Sequence, residues 1–382
     1  MGGDDPEGED VADPDATEAR IERLVERLLA GEHRALARAI TLIENRAPGH
    51  RDLVARLHGH AGDAAVVGVT GSPGAGKSTL VDKLARAYRD QGQTVGVVAV
   101  DPSSPYSGGS VLGDRIRMGA SSGDMDVFVR SMSARGRLGG LSTATTEAIT
   151  ALDAFGKDVV VVETVGAGQS EVDIVRTADT VAVLVQPGSG DDVQMLKAGI
   201  LEIGDVFVVN KADIDGAART VAELEEMLHR QRSAGDAGSA QSGHHGPGMA
   251  SGADPATRED GSDATAEWDP RIVETVATTG EGVDDLLDAL DGHDAWLRES
   301  GAREAKARQR HGAEIRRLVR SDLTELAEAE LARRGGLDAL AERVQARETD
   351  PYTVADAVVE PIRECVKSDD DGSGDGGDPE SE

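Results

Sequence analysis

An α/β fold with a mostly parallel sheet covered by helices on both faces is predicted by three observations. Seven short Val-rich runs recur along the 382-residue chain, and most are separated by segments of helical periodicity. The runs are continuously apolar rather than alternating, which is the pattern of strands buried on both faces. Aromatic residues make up only 2% of the chain, so the core must be built from Val, Leu, Ile and Ala.

The elements follow in order. Residues 1–16 read as an acidic disordered leader. Over 17–60, Ile21, Leu24, Val25, Leu28 and Leu29, then Leu36, Ala39, Ile40 and Ile43, recur at helical spacing, which predicts two or three amphipathic helices. The domain proper spans 61–300. Its expected strands are Ala64–Val69, Val95–Val100, Val127–Val129, Val159–Val162, Thr180–Val185, Val206–Val209 and Ile272–Val276. Helices are expected over Ser78–Arg89, Ser142–Phe155 and Val193–Ile203. Residues 233–266 are rich in Gly, Ser and Asp and read as a flexible insertion; its His244-His245 pair is a metal candidate only if a mobile loop can aim both rings together. From 301 to 366 the chain turns helical, with Ile315, Leu318, Leu323, Leu326 and Leu331 on a long charged helix, and 367–382 is an acidic tail.

Composition excludes several functions. The formal charge of −31 repels phosphate backbones and anionic lipid, so neither nucleic acid nor membrane is an expected partner. Acidic residues spread over the whole chain match a solvated surface of the kind halophilic proteins use; basic targets are the other reading. A single cysteine, Cys365, precludes an internal disulfide or a cysteine-ligated zinc site. With neither a long apolar run nor a basic, apolar leader, a cytoplasmic location is expected.

The chemistry starts at Gly71-Ser72-Pro73-Gly74-Ala75-Gly76-Lys77-Ser78, a G-x-x-x-x-G-K-S phosphate loop that follows a strand and opens a helix, with Thr79 next in line. Its glycines let backbone N–H groups curl around phosphates, Lys77 reaches the β and γ phosphates, and the Ser78 hydroxyl suits Mg²⁺. Asn210-Lys211-Ala212-Asp213 follows its own strand. The Asp213 carboxylate can accept both N1–H and N2–H₂ of guanine, an edge adenine lacks. Asn210 would brace the loop, and the Lys211 stem would pack on the base. Ala277, after the last strand, is the candidate to donate its amide to guanine O6. Asp101 and Glu163 end two strands, where ligands of parallel sheets bind, and are candidates for Mg²⁺ and water; capping a helix is the alternative for each. The Gly166 amide could sense the γ-phosphate, with its neighbouring glycines allowing movement. No built-in arginine finger is identifiable, although Arg115, Arg117, Arg135 and Arg137 lie in Gly/Ser-rich segments.

Five blocks in order, GSPGAGKSTL (71–80), VDPSSPYSGGSVLGDRIRM (100–118), RSMSARGRLGGLS (130–142), ETVGAGQSEVDI (163–174) and QPGSGDDVQMLKAGILEIGDVFVVNKAD (186–213), resemble the MeaB/ArgK family, the P-loop GTPases associated with methylmalonyl-CoA mutase. The resemblance spans roughly residues 17–365. It implies a homodimeric GTP-hydrolysing chaperone that uses GTP/GDP and Mg²⁺, protects the mutase or a related acyl-CoA mutase, and gates adenosylcobalamin loading. It also implies that Asp101, Asp114 and Glu163 belong to the Mg²⁺ and switch region, that Lys197 belongs to a third mobile element, and that the C-terminal helices are the dimerisation arm. Where the family has Ser-Ala near the last guanine contact, this chain has Val276-Ala277, and a backbone contact survives that change. The cobalamin signature D-x-H-x-x-G is absent, since Asp291-Gly-His293 continues to Trp296. Two rival activities stay open at this point: a kinase, under the older transport-kinase label, and a nickel-delivering metallochaperone. A nucleotide-gated scaffold is the non-enzymatic reading.

Overall fold

The computed structural model describes residues 14–101, 124, 126–133, 143–164, 177–188, 200–239 and 268–370. The chain divides into two units, Met1–Glu304 and Ala305–Glu382.

In the first unit, helices α1 (Pro14–Leu29), α2 (His33–Glu44) and α3 (His50–His58) precede strand β1 (Ala65–Gly71). There follow α4 (Lys77–Asp90), β2 (Val95–Asp101), β3 (Val127–Ser133), α5 (Thr143–Ala154), β4 (Val159–Thr164) and β5 (Thr180–Val185). The last elements are β6 (Val206–Asn210), α6 (Ala217–Ser239), β7 (Arg271–Thr275) and α7 (Val283–Glu299). The strands form one sheet in the order β3-β2-β4-β1-β5-β6-β7, and every described pairing is parallel. All strand carboxyl ends therefore lie along one edge, with β1 at the centre between β4 and β5.

Each central strand is buried on both sides. Val160 and Val162 of β4 join the core formed with α1, α2, α3, α5 and α6, whereas Val159 and Val161 join the core formed with α4 and α7. This two-sided burial is why the runs are Val-rich without alternation. At the end of the sheet β7 departs from the rule: Arg271 and Glu274 are exposed while Val273 and Thr275 are buried. Helix α2 shows the complementary logic, burying Leu36, Ala39, Ile40 and Ile43 along one stripe. It is tied to edge strand β3 by Arg130, whose guanidinium meets Glu44 at 2.7 Å with both side chains almost wholly buried.

Local departures from the sequence expectations have simple causes. Strand β3 runs to Ser133 rather than Val129, because pairing with the whole of β2 supplies partners that its polar residues would not suggest. Helix α6 continues to Ser239, into the segment expected to be irregular, since adding turns to an existing helix avoids the nucleation cost. Of the helix expected over Val193–Ile203, the described part is the single 3₁₀ turn Ile200–Glu202.

The second unit holds most of α8 (Ala302–Arg333), then α9 (Gly336–Gln345) and α10 (Pro351–Asp370). Leu340 and Val358 are buried. Helix α8 buries none of its residues, and Ile315, Val319, Leu323 and Leu326 are exposed at helical spacing. None of the helices among the described residues is long and apolar enough to cross a membrane.

Candidate active site

The phosphate loop connects β1 to α4 at the centre of the sheet edge. Gly71 has φ of 141°, and a Cβ there would lie 2.1 Å from the Leu184 carbonyl oxygen of β5, so no side chain fits. Gly76 has φ of 95°, and a Cβ would lie 2.4 Å from Asn210 Nδ2. These two glycines let the loop press against β5 on one side and the Asn210 loop on the other. Gly74, also left-handed, borders open space. Ala75 is buried, whereas Pro73 and Thr79 are exposed.

Lys77 is buried, with its ammonium donating to the Gly71 and Ser72 carbonyls at 2.6 and 2.9 Å. The Ser78 hydroxyl donates to a Glu163 carboxylate oxygen. Glu163 is buried at the end of β4, and β4 neighbours β1. The serine and the acid, read 85 positions apart, thus meet beside the phosphate loop. Beneath them the Thr164 hydroxyl donates to Thr70 Oγ1 at 3.1 Å, a fully buried contact across β4 and β1.

This donor set suits a magnesium triphosphate. The amides of Lys77, Ser78 and Thr79 begin a helix and so lack intrahelical acceptors. The Ser72 hydroxyl is buried without a hydrogen-bond partner among the described residues. A hydroxyl paired with a carboxylate is the hard-oxygen pair that Mg²⁺ favours. Asp101 is the last residue of β2, and its backbone pairs with Ser133. Asp114, Gly166 and Lys197, with Arg115, Arg117, Arg135, Arg137 and the His244-His245 pair, lie outside the described residues.

At the other end of the site, Asn210 closes β6 and is fully buried. Its Nδ2 donates to the Ala75 carbonyl at 2.7 Å. Its Oδ1 accepts from Thr275 Oγ1 at 3.0 Å and from the Ala277 amide at 3.1 Å. One side chain therefore joins the phosphate loop, its own strand end and the loop after β7. Lys211 is non-glycine at φ of 62°, and its ammonium donates to the Gly74 carbonyl at 2.7 Å and to Gln186 Oε1 at 2.8 Å. Asp213 is exposed beyond that lysine. The Ala277 amide, read from the sequence as a donor to a base carbonyl, donates here to Asn210.

Three participants were not apparent in the sequence. Thr275 buttresses Asn210, Gln186 holds Lys211, and Thr164 meets Thr70. Each ends a strand or directly follows one, so the position along the sheet edge is the signal that could have found them.

Comparison with known proteins agrees with this geometry. The family described as methylmalonyl-CoA mutase-associated GTPase MeaB matches residues 36–332. A protein of Pyrococcus abyssi is 44% identical over 344 residues, covering 90% of this chain and 97% of that protein. GTPase ArgK of Escherichia coli is 35% identical over 304 residues, covering 78% and 82%. The mitochondrial methylmalonic aciduria type A homologue of Mus musculus is 31% identical over 322 residues, covering 80% and 70%. A crystal structure described as a LAO/AO transport system kinase superposes with a TM-score of 0.59 at 26% identity, covering 91% of this chain and 98% of that one. A phosphate loop braced by Asn210, a family match over most of the chain and these relatives lead to one assignment: the chain belongs to the MeaB/ArgK family of GTPases.

Proposed function

We propose that this GTPase is a nucleotide-dependent chaperone that protects methylmalonyl-CoA mutase, or a related cobalamin-dependent acyl-CoA mutase, and gates its adenosylcobalamin loading. The observation that carries the nucleotide part is the Asn210 side chain, which links the phosphate loop, the loop after β6 and the loop after β7. A site built this way senses both ends of one nucleotide. The mutase part is supported by the family description and by the mammalian relative's name.

In this reading Gly71 to Thr79 cradle the phosphates and Asp213 reads the guanine edge. Lys77 exchanges its two loop carbonyls for phosphate oxygens and so holds developing negative charge in a site where its ammonium is already desolvated. Ser78 and Glu163 would hold Mg²⁺, joined by Asp101 and Asp114; the ion, when bound, supplies charge neutralisation of the phosphates. Gly166 senses the γ-phosphate, and Lys197 belongs to a third mobile element that a partner can reposition. The Ala277 amide is shared between Asn210 and the base carbonyl once guanine is bound. The protein works in the cytoplasm.

The exposed stripe of Ile315, Val319, Leu323 and Leu326 on α8 supports a homodimer, because a second copy offers the same apolar stripe in return. Sedimentation of Leu323→Glu is expected to give monomers where the unaltered protein gives dimers.

The test of the chaperone role is adenosylcobalamin loading of the purified mutase with this protein present. GTP is expected to support release of cofactor to the mutase, and a non-hydrolysable analogue to stall it. Equal loading with GTP, with the analogue and with no nucleotide would refute the role.

A further inference from the structure

Strand β5 carries no residue of either nucleotide motif, yet it lies between the strand that leads into the phosphate loop and the strand that leads into the base loop. Its register fixes what comes next. Leu184 pairs with Gly71, and Val185 pairs with Val209. The next residue, Gln186, thus leaves the sheet between the two loops. There its Oε1 accepts a hydrogen bond from the Lys211 ammonium at 2.8 Å. The same ammonium reaches the Gly74 carbonyl at 2.7 Å. One cation is stretched between the phosphate loop and the end of β5, and the contact is half-buried.

We infer that Gln186 is a positioning residue for guanine-nucleotide affinity: its side-chain oxygen fixes the Lys211 stem in the place where it covers the base. The inference rests on the reading of Asn210, Lys211 and Asp213 as the base loop. Four features carry it. Lysine is a flexible four-carbon stem with a rotating head, so a flat apolar wall made from it needs its far end held. A single carbonyl, Gly74 O, leaves the head free to pivot, and a second acceptor from another strand removes that freedom. Lys211 itself sits in the left-handed region, which L-residues avoid unless surrounding contacts hold them there. The acceptor is also neutral. A carboxylate at this place would hold the lysine equally well but would add a negative charge beside the loop meant for phosphates.

The contact lies at the base end, so GTP and GDP should feel its loss equally. The loss should fall on KM more than on kcat.

The experiment is a double-mutant cycle on the full-length protein, read by titration with GTP and with GDP. Gln186→Met keeps the length and removes the acceptor; Gln186→Ala removes the acceptor without any packing demand and is read beside it. Each is expected to weaken GTP and GDP alike by about tenfold, the size of a hydrogen bond to a charged group. Lys211→Ala is expected to weaken both nucleotides at least as much. Adding Gln186→Met to Lys211→Ala should cause no further loss. Binding by both Gln186 variants within twofold of the unaltered protein would overturn the inference, and so would the same tenfold loss recurring in the Lys211→Ala background. Unaltered binding by Lys211→Ala alone would overturn the base-loop reading as well, which separates the two failures.

Discussion

Asn210 spends both ends of its amide inside the protein, and three loops depend on it. Replacing it with alanine leaves the Ala75 carbonyl, the Thr275 hydroxyl and the Ala277 amide without that partner in a buried place. Asn210→Ala is therefore expected to cost about 3 kcal/mol of stability in urea unfolding. The same change should weaken GTP binding, because Gly76 and Ala75 lose the wall they press against. An unfolding midpoint equal to that of the unaltered protein would contradict this. That Asn210 braces a loop was legible from its place after a strand and far downstream of a phosphate loop. What it braces was not. The Ala75 contact spans 135 positions and needs the strand order, which local periodicity does not contain. Gln186 was hidden for the same reason.

At the scale of elements, the N-terminal helices are fastened to the sheet by an ion pair as well as by apolar packing. Arg130 meets Glu44 at 2.7 Å with little solvent to screen either charge, and it also reaches the Thr41 hydroxyl at 3.3 Å. Removing one partner strands the other. Glu44→Ala should cost about 3 kcal/mol, whereas the double change Glu44→Leu with Arg130→Met should recover most of it. Denaturant titration of the three variants checks both statements. Helix α10 begins differently, on an Asp350 cap that precedes Pro351. The Asp350 carboxylate accepts from the amides of Tyr352 and Thr353 at 2.9 and 3.1 Å and from the Thr353 hydroxyl at 2.5 Å. The Thr353 hydroxyl first, and then its amide, hold this carboxyl below its ordinary value of 3.8. A depressed carboxyl stabilises the helix above the unfolded value and loses that contribution as pH falls through the folded one. Helical circular dichroism should accordingly fall below about pH 3.8 more steeply in the unaltered protein than in Asp350→Asn. The strands were the most legible elements, because burial on both faces leaves an uninterrupted Val signature. Their ends were less so: the polar residues Arg130, Ser131 and Ser133 are strand only because β2 pairs with them.

For the molecule as a whole, charge is the dominant feature. A formal charge of −31 on 382 residues implies self-repulsion that salt relieves. Raising KCl from about 0.1 M to about 2 M shortens the screening length severalfold, so the thermal midpoint should rise across that range. A midpoint that stays flat or falls would remove the halophilic reading of the acidic surface. The α/β class, the parallel sheet and the helical C-terminal region all followed from periodicity and composition. The sheet order did not, because it depends on which strands meet rather than on what each strand is. That order places β1 at the centre and lets Glu163, Gln186 and Asn210 approach the phosphate loop from the strands on either side.

The central claim is that one nucleotide is gripped at its phosphates by the loop after β1 and at its base by the loop after β6. Titration calorimetry of the unaltered protein and of Asp213→Asn, with GTP, ATP and XTP in Mg²⁺ and high salt, tests it most directly. The unaltered protein should prefer GTP over ATP by at least about a hundredfold, as expected when a site built to hydrogen-bond one base edge meets a base that lacks it. Asp213→Asn should shift its preference from GTP to XTP. Equal binding of GTP and ATP by the unaltered protein, or an unchanged preference in the variant, would contradict the account.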